Sequence, residues 1–392
     1  MNSKSTRSQA ATSNGSAEAL DSAVELVAAA VRGEPADARW LGKRSSSDAF
    51  LEVVEAHGVG PLLHHSLKSG PGGENWPDDI RDTLAEKARQ EAVREAIRVE
   101  ETRRVLAALK SERVAPLVLK GAALAYSLYP RPHLRPREDT DLLVRQAAVA
   151  DVVRTLRALG YRRHERLPGQ RVLRQDTYLR KDETGYTHAL DLHWAISNRP
   201  ALANSLDYAE IRQRAVAIEA LSPCAMGLCH EDALLHACLH RLAHGDEDNL
   251  IWLYDIHLLV ESLSATEFER FAQTALAKRL GRASRDAIAK AQLRFRTTLP
   301  CGELDDHFYP ERLADEARLV IGLSPGRRFR NLLVDIRALG SVRERMSWLR
   351  EHALPPPAYM RERYGAGSAA WLPALYIRRG LKGVASLLKR SH

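Results

Sequence analysis

Between Pro116 and Trp194 the chain breaks with the helical patterning on either side, and that interruption limits the folds open to it. Pro116-Leu-Val-Leu-Lys120 is a short apolar run of the buried-strand type, and Gly121 opens an Ala/Leu-rich helix that ends near Tyr129 and Pro130. A Pro- and Arg-rich loop leads into Asp139-Thr-Asp-Leu-Leu-Val144, read as a second strand, with a helix from about Ala147 to Leu159 behind it. Val172 to Arg180 and Tyr186 to Trp194 read as two more strands around Lys181-Asp-Glu-Thr-Gly185, a sequence suited to a hairpin turn. The order predicts a small mixed sheet with its own helices set inside a helical chain, an α+β class.

Outside that window the apolar residues recur at helical spacing. Asp78 to Ser111 predicts one long helix with a narrow stripe of Leu84, Ala88, Ala92, Ala96, Val99, Leu106 and Leu109, the alternative being two helices with a short break. His230 to His244, Leu250 to Ser262 and Ala265 to Leu280 predict helices as well, and Pro355-Pro-Pro357 and Gly365-Ala-Gly367 interrupt the rest. At 392 residues, with 45% hydrophobic and only 6% aromatic residues, the chain exceeds the size of one core and favours helix over sheet. The expected divisions are a disordered Ser-rich tail over 1–18, a helical region over 19–113, the α/β core over 114–225, and a helical region with a basic tail over 226–392.

Four cysteines, Cys224, Cys229, Cys238 and Cys301, match neither a disulfide framework nor a CxxC zinc pattern, which predicts reduced thiols and a cytoplasmic protein. The polar N-terminus offers neither a signal peptide nor a membrane span. A net charge of +8 attracts nucleotides, nucleic acid or anionic lipid without choosing among them.

Chemistry concentrates on three aspartates. In a strand, residues i and i+2 share a face, so Asp139 and Asp141 stand side by side while Thr140, Leu142 and Val144 face away. In Leu190-Asp-Leu-His-Trp194, Asp191 and His193 share a face opposite Leu190, Leu192 and Trp194. If the two strands are neighbours, three carboxylates converge, and crowded carboxylates call for a hard cation such as Mg²⁺ or Mn²⁺. Asp139 and Asp141 are then the expected ligands of both ions of a two-metal site. Asp191 completes the nucleophile-side ion and is the candidate acceptor of the incoming hydroxyl's proton. Lys120, Gly121 and Ala122 sit where a strand passes into a helix, a place suited to phosphate, and Arg135 and Arg137 are candidates to neutralise charge on the transferred phosphoryl group.

Leu119-Lys-Gly-Ala-Ala-Leu124, Tyr129-Pro130, Arg135-Pro-Arg-Glu-Asp-Thr-Asp-Leu-Leu-Val144 and Leu190-Asp-Leu-His-Trp194 together resemble the uncharacterised bacterial nucleotidyltransferase family known as NTP transferase 5. That family is similar to the polymerase-β nucleotidyltransferase superfamily. The resemblance implies a polymerase-β-like core, a Mg²⁺-bound NTP, with ATP the default, and transfer of a nucleoside monophosphate to an acceptor hydroxyl with release of pyrophosphate. One departure stands out: the superfamily generally carries Gly-Ser or Gly-Gly where this chain has Gly121-Ala122, so the triphosphate lacks a hydroxyl partner there. Two rival functions follow, a nucleotide-binding regulatory module without turnover, and a basic protein that binds nucleic acid or a membrane surface.

His236, His240 and His244 recur every four residues along one helical stripe. Two readings stand: His240 and His244 line the nucleotide or acceptor pocket, or the stripe is an ordinary polar face; no Glu sits where a zinc protease site needs one. Asp255 is expected to be structural, as a cap or as a partner of His240, with Asp246, Glu247 and Asp248 in a solvated loop. The basic, apolar run from Trp371 to Arg390 is expected to dock onto the protein's own core or onto a partner, ahead of resting on an anionic membrane, which its composition would also allow.

Overall fold

The computed structural model describes residues 20–388 apart from 36–37, 39–40, 42–43, 165–173, 245–247, 309–327, 356 and 365–370. The expected tail over 1–18, Val172, Asp246, Glu247, the Gly365-Ala-Gly367 break and the basic pair Lys389 and Arg390 lie outside the described residues.

Helices α1 (20–31), α2 (Arg44–Ala56) and α3 (Gly60–Ser69) precede α4 (Asp78–Ser111), which is one unbroken helix of 34 residues. Its inner face differs from the expected alanine stripe. Ala96 is exposed and Ala92 half-buried, whereas Glu91, Glu95, Arg98, Glu101 and Thr102 are buried. The reason is electrostatic: this face lies against the sheet, where Arg137 and Tyr126 reach Glu95 and Arg180 reaches Glu101, while Arg98 of the same helix pairs with Glu91, so burial follows pairing instead of hydropathy.

The α/β unit runs β1 (Leu117–Leu119), α5 (Lys120–Ser127), β2 (Asp139–Leu143), α6 (Val149–Ala158), β3 (Arg162–Arg163), β4 (Gln175–Lys181), β5 (Thr187–His193), α7 (Tyr208–Gln213), β6 (Val216–Ala217) and β7 (Met226–Gly227). The strands form one mixed sheet in the order β3-β4-β5-β2-β1-β7-β6, as the α+β expectation required. β2 runs parallel to β5 and antiparallel to β1, while β4 and β5 form the expected hairpin. Asp182 organises its turn by accepting hydrogen bonds from the Thr184 amide and hydroxyl, at 2.9 and 2.7 Å, and from the Tyr186 amide at 3.0 Å, and Gly185 supplies φ +88°.

Helices α8 (His230–Ala243), α9 (Leu250–Ser262), α10 (Ala265–Ala277) and α11 (Gly281–Phe295) follow. Asn249 caps α9, and Ser264 with Glu267 forms a reciprocal capping box on α10, which sets sharp corners between successive helices. Two apolar clusters result. One joins Val27, Phe50, Leu63 and Leu84 to Leu253, Leu259, Phe268 and Phe271, so the helices before and after the sheet share a core. The other lies beneath the sheet and joins Leu106 and Leu109 of α4 to Leu142, Leu156, Tyr178 and Leu192.

Beyond α12 (Leu304–His307) come α13 (Arg328–Ala338), α14 (Val342–Ala353), α15 (Pro357–Tyr364) and α16 (Leu372–Leu388). Part of the expected amphipathic tail docks on the chain itself: Leu375 is buried and the Tyr376 hydroxyl donates to the Pro355 carbonyl, while Ile377 and Leu381 face outward. No helix among the described residues is long and apolar enough to cross a membrane.

Candidate active site

The register of β2 on β5 assembles the acidic site. Asp141 stands directly opposite Asp191, and Leu143 opposite His193, so two parallel strands put Asp141, Asp191 and His193 on one face. One ligand atom from each of these three lies within 4.8 Å of the others, and all three residues are buried. Asp139, two residues earlier on the same face, is half-buried at the mouth.

Lys120 ends the β1–α5 crossing with φ +50°, a left-handed conformation that a non-glycine residue holds only when its surroundings enforce it. Its Nζ donates to Asp141 Oδ1 at 2.6 Å, and His193 Nε2 meets the same oxygen at 2.7 Å. Burial would raise the Asp141 carboxyl, but Lys120 and His193 hold it well below the usual carboxylate range. Asp139 goes the other way: burial first, then repulsion from Asp141 and Asp191, pushes it up to about 7. Asp191 is held from behind by β4, with Thr177 Oγ1 donating to Oδ1 at 2.6 Å and Gln175 Nε2 to Oδ2 at 2.9 Å. A cluster of hard carboxylate oxygens that already draws two donors onto one atom, and whose third carboxyl resists ionising, fits a divalent cation.

The two arginines of the loop line the neighbouring cavity, yet their guanidinium groups are committed elsewhere. Arg135 pairs with Asp255 of α9 through Nε at 2.9 and 3.0 Å and Nη2 at 2.8 Å, and Tyr129 Oη donates to the same carboxylate at 2.8 Å. Arg137 pairs with Glu95 of α4 through Nε at 3.0 Å and Nη2 at 2.9 Å, and its Nη1 donates to the Asp139 carbonyl at 2.9 Å and Thr140 Oγ1 at 2.6 Å. In this geometry both arginines brace the strand that carries the aspartates, and Asp255 partners Arg135, not His240. A Cβ at Gly121 would stand 3.4 Å from Arg135 Nη1 and 3.4 Å from Arg137 Cβ, in van der Waals contact with both arginines.

A cavity of about 410 Å³ opens beside the aspartates, between the sheet and helices α8 and α9. Lys120, Gly121, Asp139 and Asp141 form one part of its wall; Val216, Ile218, Leu228, His236, His240, Ile251 and Trp252 line other parts. Asp191 and His193 do not line it. Ala122 does not either: its methyl is 2% exposed and packs in the cluster beneath the sheet, while Gly121 and Ala123 face the cavity. His240 lines the wall, whereas His244 packs at a tilt against Trp252 and His240, at 5.3 and 4.5 Å between ring centroids, outside the lining. Burial pushes His236 down to about 3 and His240 well below the usual imidazole range, so both stay neutral. Among the described residues the histidine stripe forms no metal-binding group of its own.

Sequence reasoning left three participants without a role. His193 was legible, since it shares the face of Asp191 at i+2. His236 belonged to the four-residue repeat, but burial alone selects it. Nothing local marks Trp252, which meets the cavity only because α9 folds back against α8.

The family model for an uncharacterised nucleotidyltransferase family, NTP transferase 5, matches residues 44–296, well over half of the chain, and the chain belongs to that family. The match begins at α2 and ends just after α11, so it takes in the sheet, the aspartates and the whole cavity wall. Membership makes the protein a nucleotidyltransferase, as the motif resemblance implied, and that class generally works with divalent metal ions. Comparison with curated proteins finds no match.

Proposed function

We propose that the protein transfers a nucleoside monophosphate from an NTP, by default ATP, to an acceptor hydroxyl and releases pyrophosphate. The observation that carries this reading is the single cavity that has Lys120, Asp139 and Asp141 on one wall and Trp252 and His240 on another. Its volume of about 410 Å³ suits a nucleotide, with the phosphates toward the aspartates and the base against the aromatic wall. Asp139, Asp141 and Asp191 would hold Mg²⁺ or Mn²⁺, which when bound supplies positive charge to the attacking oxygen and the leaving pyrophosphate.

The acceptor oxygen attacks the α-phosphorus, the bond from that phosphorus to the bridging oxygen breaks, and the hydroxyl proton passes to a carboxylate of the cluster. Lys120 exchanges Asp141 for a phosphate oxygen of the NTP. Arg135 and Arg137 keep β2 fixed while this happens, so catalysis rests on positioning and charge neutralisation. The Ala122 methyl faces the core, so the missing hydroxyl there carries little weight for the inactive-module alternative.

The test is pyrophosphate release and transfer of α-³²P label from each of the four NTPs, with Mg²⁺ or Mn²⁺ and cell extract as acceptor, in wild type and Asp139→Asn/Asp141→Asn. Label transfer that vanishes in the double variant supports the reading. NTP binding without turnover would replace it with the binding module, and salt-sensitive nucleic-acid or vesicle binding that survives the double variant would favour a basic interaction protein.

A further inference from the structure

We propose that the metal centre is a mixed oxygen and nitrogen site in which His193 is a direct ligand beside Asp141 and Asp191, and that it therefore prefers Mn²⁺ to Mg²⁺. The inference rests on the reading that these aspartates bind a divalent ion, and it adds the ligand that an all-carboxylate site lacks.

Three observations carry it. The parallel register sets His193 next to Asp191 along β5 and one step beyond Asp141 across the sheet, so no loop has to move to bring the imidazole in. His193 is 4% exposed and its Nε2 lies 2.7 Å from Asp141 Oδ1, so the nitrogen points at the carboxylate that anchors the site. The ligand atoms of Asp141, Asp191 and His193 lie within 4.8 Å of one another. Ligands bonded at about 2.1 Å around one ion stand about 3 to 4 Å apart, so a small closure suffices. Asp139, at the mouth, stands outside this trio and faces the cavity.

Lys120 and His193 both meet Asp141 Oδ1. Their chemistry separates them. An ammonium carries no lone pair and has to leave when a cation arrives. An imidazole has a ring nitrogen whose lone pair binds a cation once the proton sits elsewhere. Mg²⁺ is held by oxygen and gives up its waters reluctantly, whereas Mn²⁺ accepts imidazole more readily, so a nitrogen in the ligand set tilts the choice toward Mn²⁺.

The alternative is that His193 only donates to Asp141 and orients it. Electron paramagnetic resonance of the full-length protein titrated with MnCl₂, with electron spin-echo modulation to detect coupled ¹⁴N, separates the two. The expected result is Mn²⁺ binding that Asp141→Asn abolishes, with ¹⁴N modulation in wild type that disappears in His193→Gln and persists in His236→Asn. In His193→Gln the ratio of Mn²⁺ to Mg²⁺ affinity should also fall about tenfold, about 1.4 kcal/mol. Should His193→Gln fail to fold, wild type grown with ¹⁵N-labelled histidine must show the modulation change from ¹⁴N to ¹⁵N. Asp141-dependent Mn²⁺ binding without nitrogen modulation, or modulation that survives His193→Gln, overturns the histidine ligand and leaves the nucleotidyl-transfer reading standing. No Asp141-dependent Mn²⁺ binding at all overturns both.

Discussion

Replacing Asp255 by Asn separates a bracing arginine from a phosphate-binding one. Arg135 is 8% and Asp255 4% exposed, and the pair joins the loop before β2 to helix α9 through three contacts of 2.8 to 3.0 Å. With charge centres roughly 4 Å apart and an effective dielectric constant of about 20, the Coulomb attraction is about 4 kcal/mol. The carboxamide keeps the shape but leaves a buried guanidinium without its counter-charge, so the expected loss is about 3 to 5 kcal/mol. That is a large share of a typical stability of about 5 to 15 kcal/mol, and with a urea m-value near 3 kcal/mol/M it lowers the unfolding midpoint by about 1 M. Urea titration followed by circular dichroism reads it directly.

The control removes the charges altogether. Tyr129→Phe/Arg135→Met/Asp255→Leu deletes the donors with the carboxylate acceptor, frees only the half-buried Pro136 carbonyl that Arg135 Nη1 also reaches, and should lie within about 1 to 2 kcal/mol of wild type, because an apolar replacement of a buried pair is often close to neutral. The reasoning is refuted if Asp255→Asn unfolds within about 1 kcal/mol of wild type. It is equally refuted if the apolar triple variant is as unstable as the single one, since packing and not charge would then be the cause. A stable Asp255→Asn protein with weakened NTP binding would return Arg135 to the phosphate-binding role that the sequence suggested.

Two further outcomes follow from the same geometry. Glu95→Gln weakens the clasp on Arg137, whose Nη1 holds the Asp139 carbonyl; stability should drop by about 3 kcal/mol, and steady-state kinetics should show kcat falling about tenfold with KM for the NTP nearly unchanged. His236, pushed down to about 3 by burial, stays neutral in the folded chain while the unfolded chain takes up a proton below about 6.5. Stability is therefore complete above pH 6.5 and drains toward pH 3 by about 1.4 kcal/mol per unit, so His236→Phe should flatten the fall of the unfolding midpoint between about pH 6 and 4, and an unchanged slope would count against a buried neutral imidazole.

How much of this could be read from residues alone depends on the range of the interaction. The α/β insert, the hairpin around Asp182 and Gly185, the paired faces of Asp139 with Asp141 and of Asp191 with His193, and the extent of α4 all follow from periods of two and 3.6 residues and from turn chemistry, which act over a few positions. The family's motifs are local in the same sense, and they were legible for that reason.

Tertiary structure decided what no short window contains. Glu95 and Arg98 are polar by composition, yet they are buried because Arg137 and Tyr126 reach Glu95, and Tyr186 reaches Arg98, from distant elements, while Arg98 pairs with Glu91 on the same helix. Arg135 and Arg137 sit beside the acidic motif in sequence, but Asp255 and Glu95, 120 and 42 positions away, claim their charges first. The cavity exists only because α8 and α9 fold back over the sheet edge, which brings Trp252 and His236 to a site laid down by β1, β2 and β5. A buried charge settles wherever its counter-charge can be held close, and that is a property of the assembled fold, while the face of a strand belongs to the sequence itself.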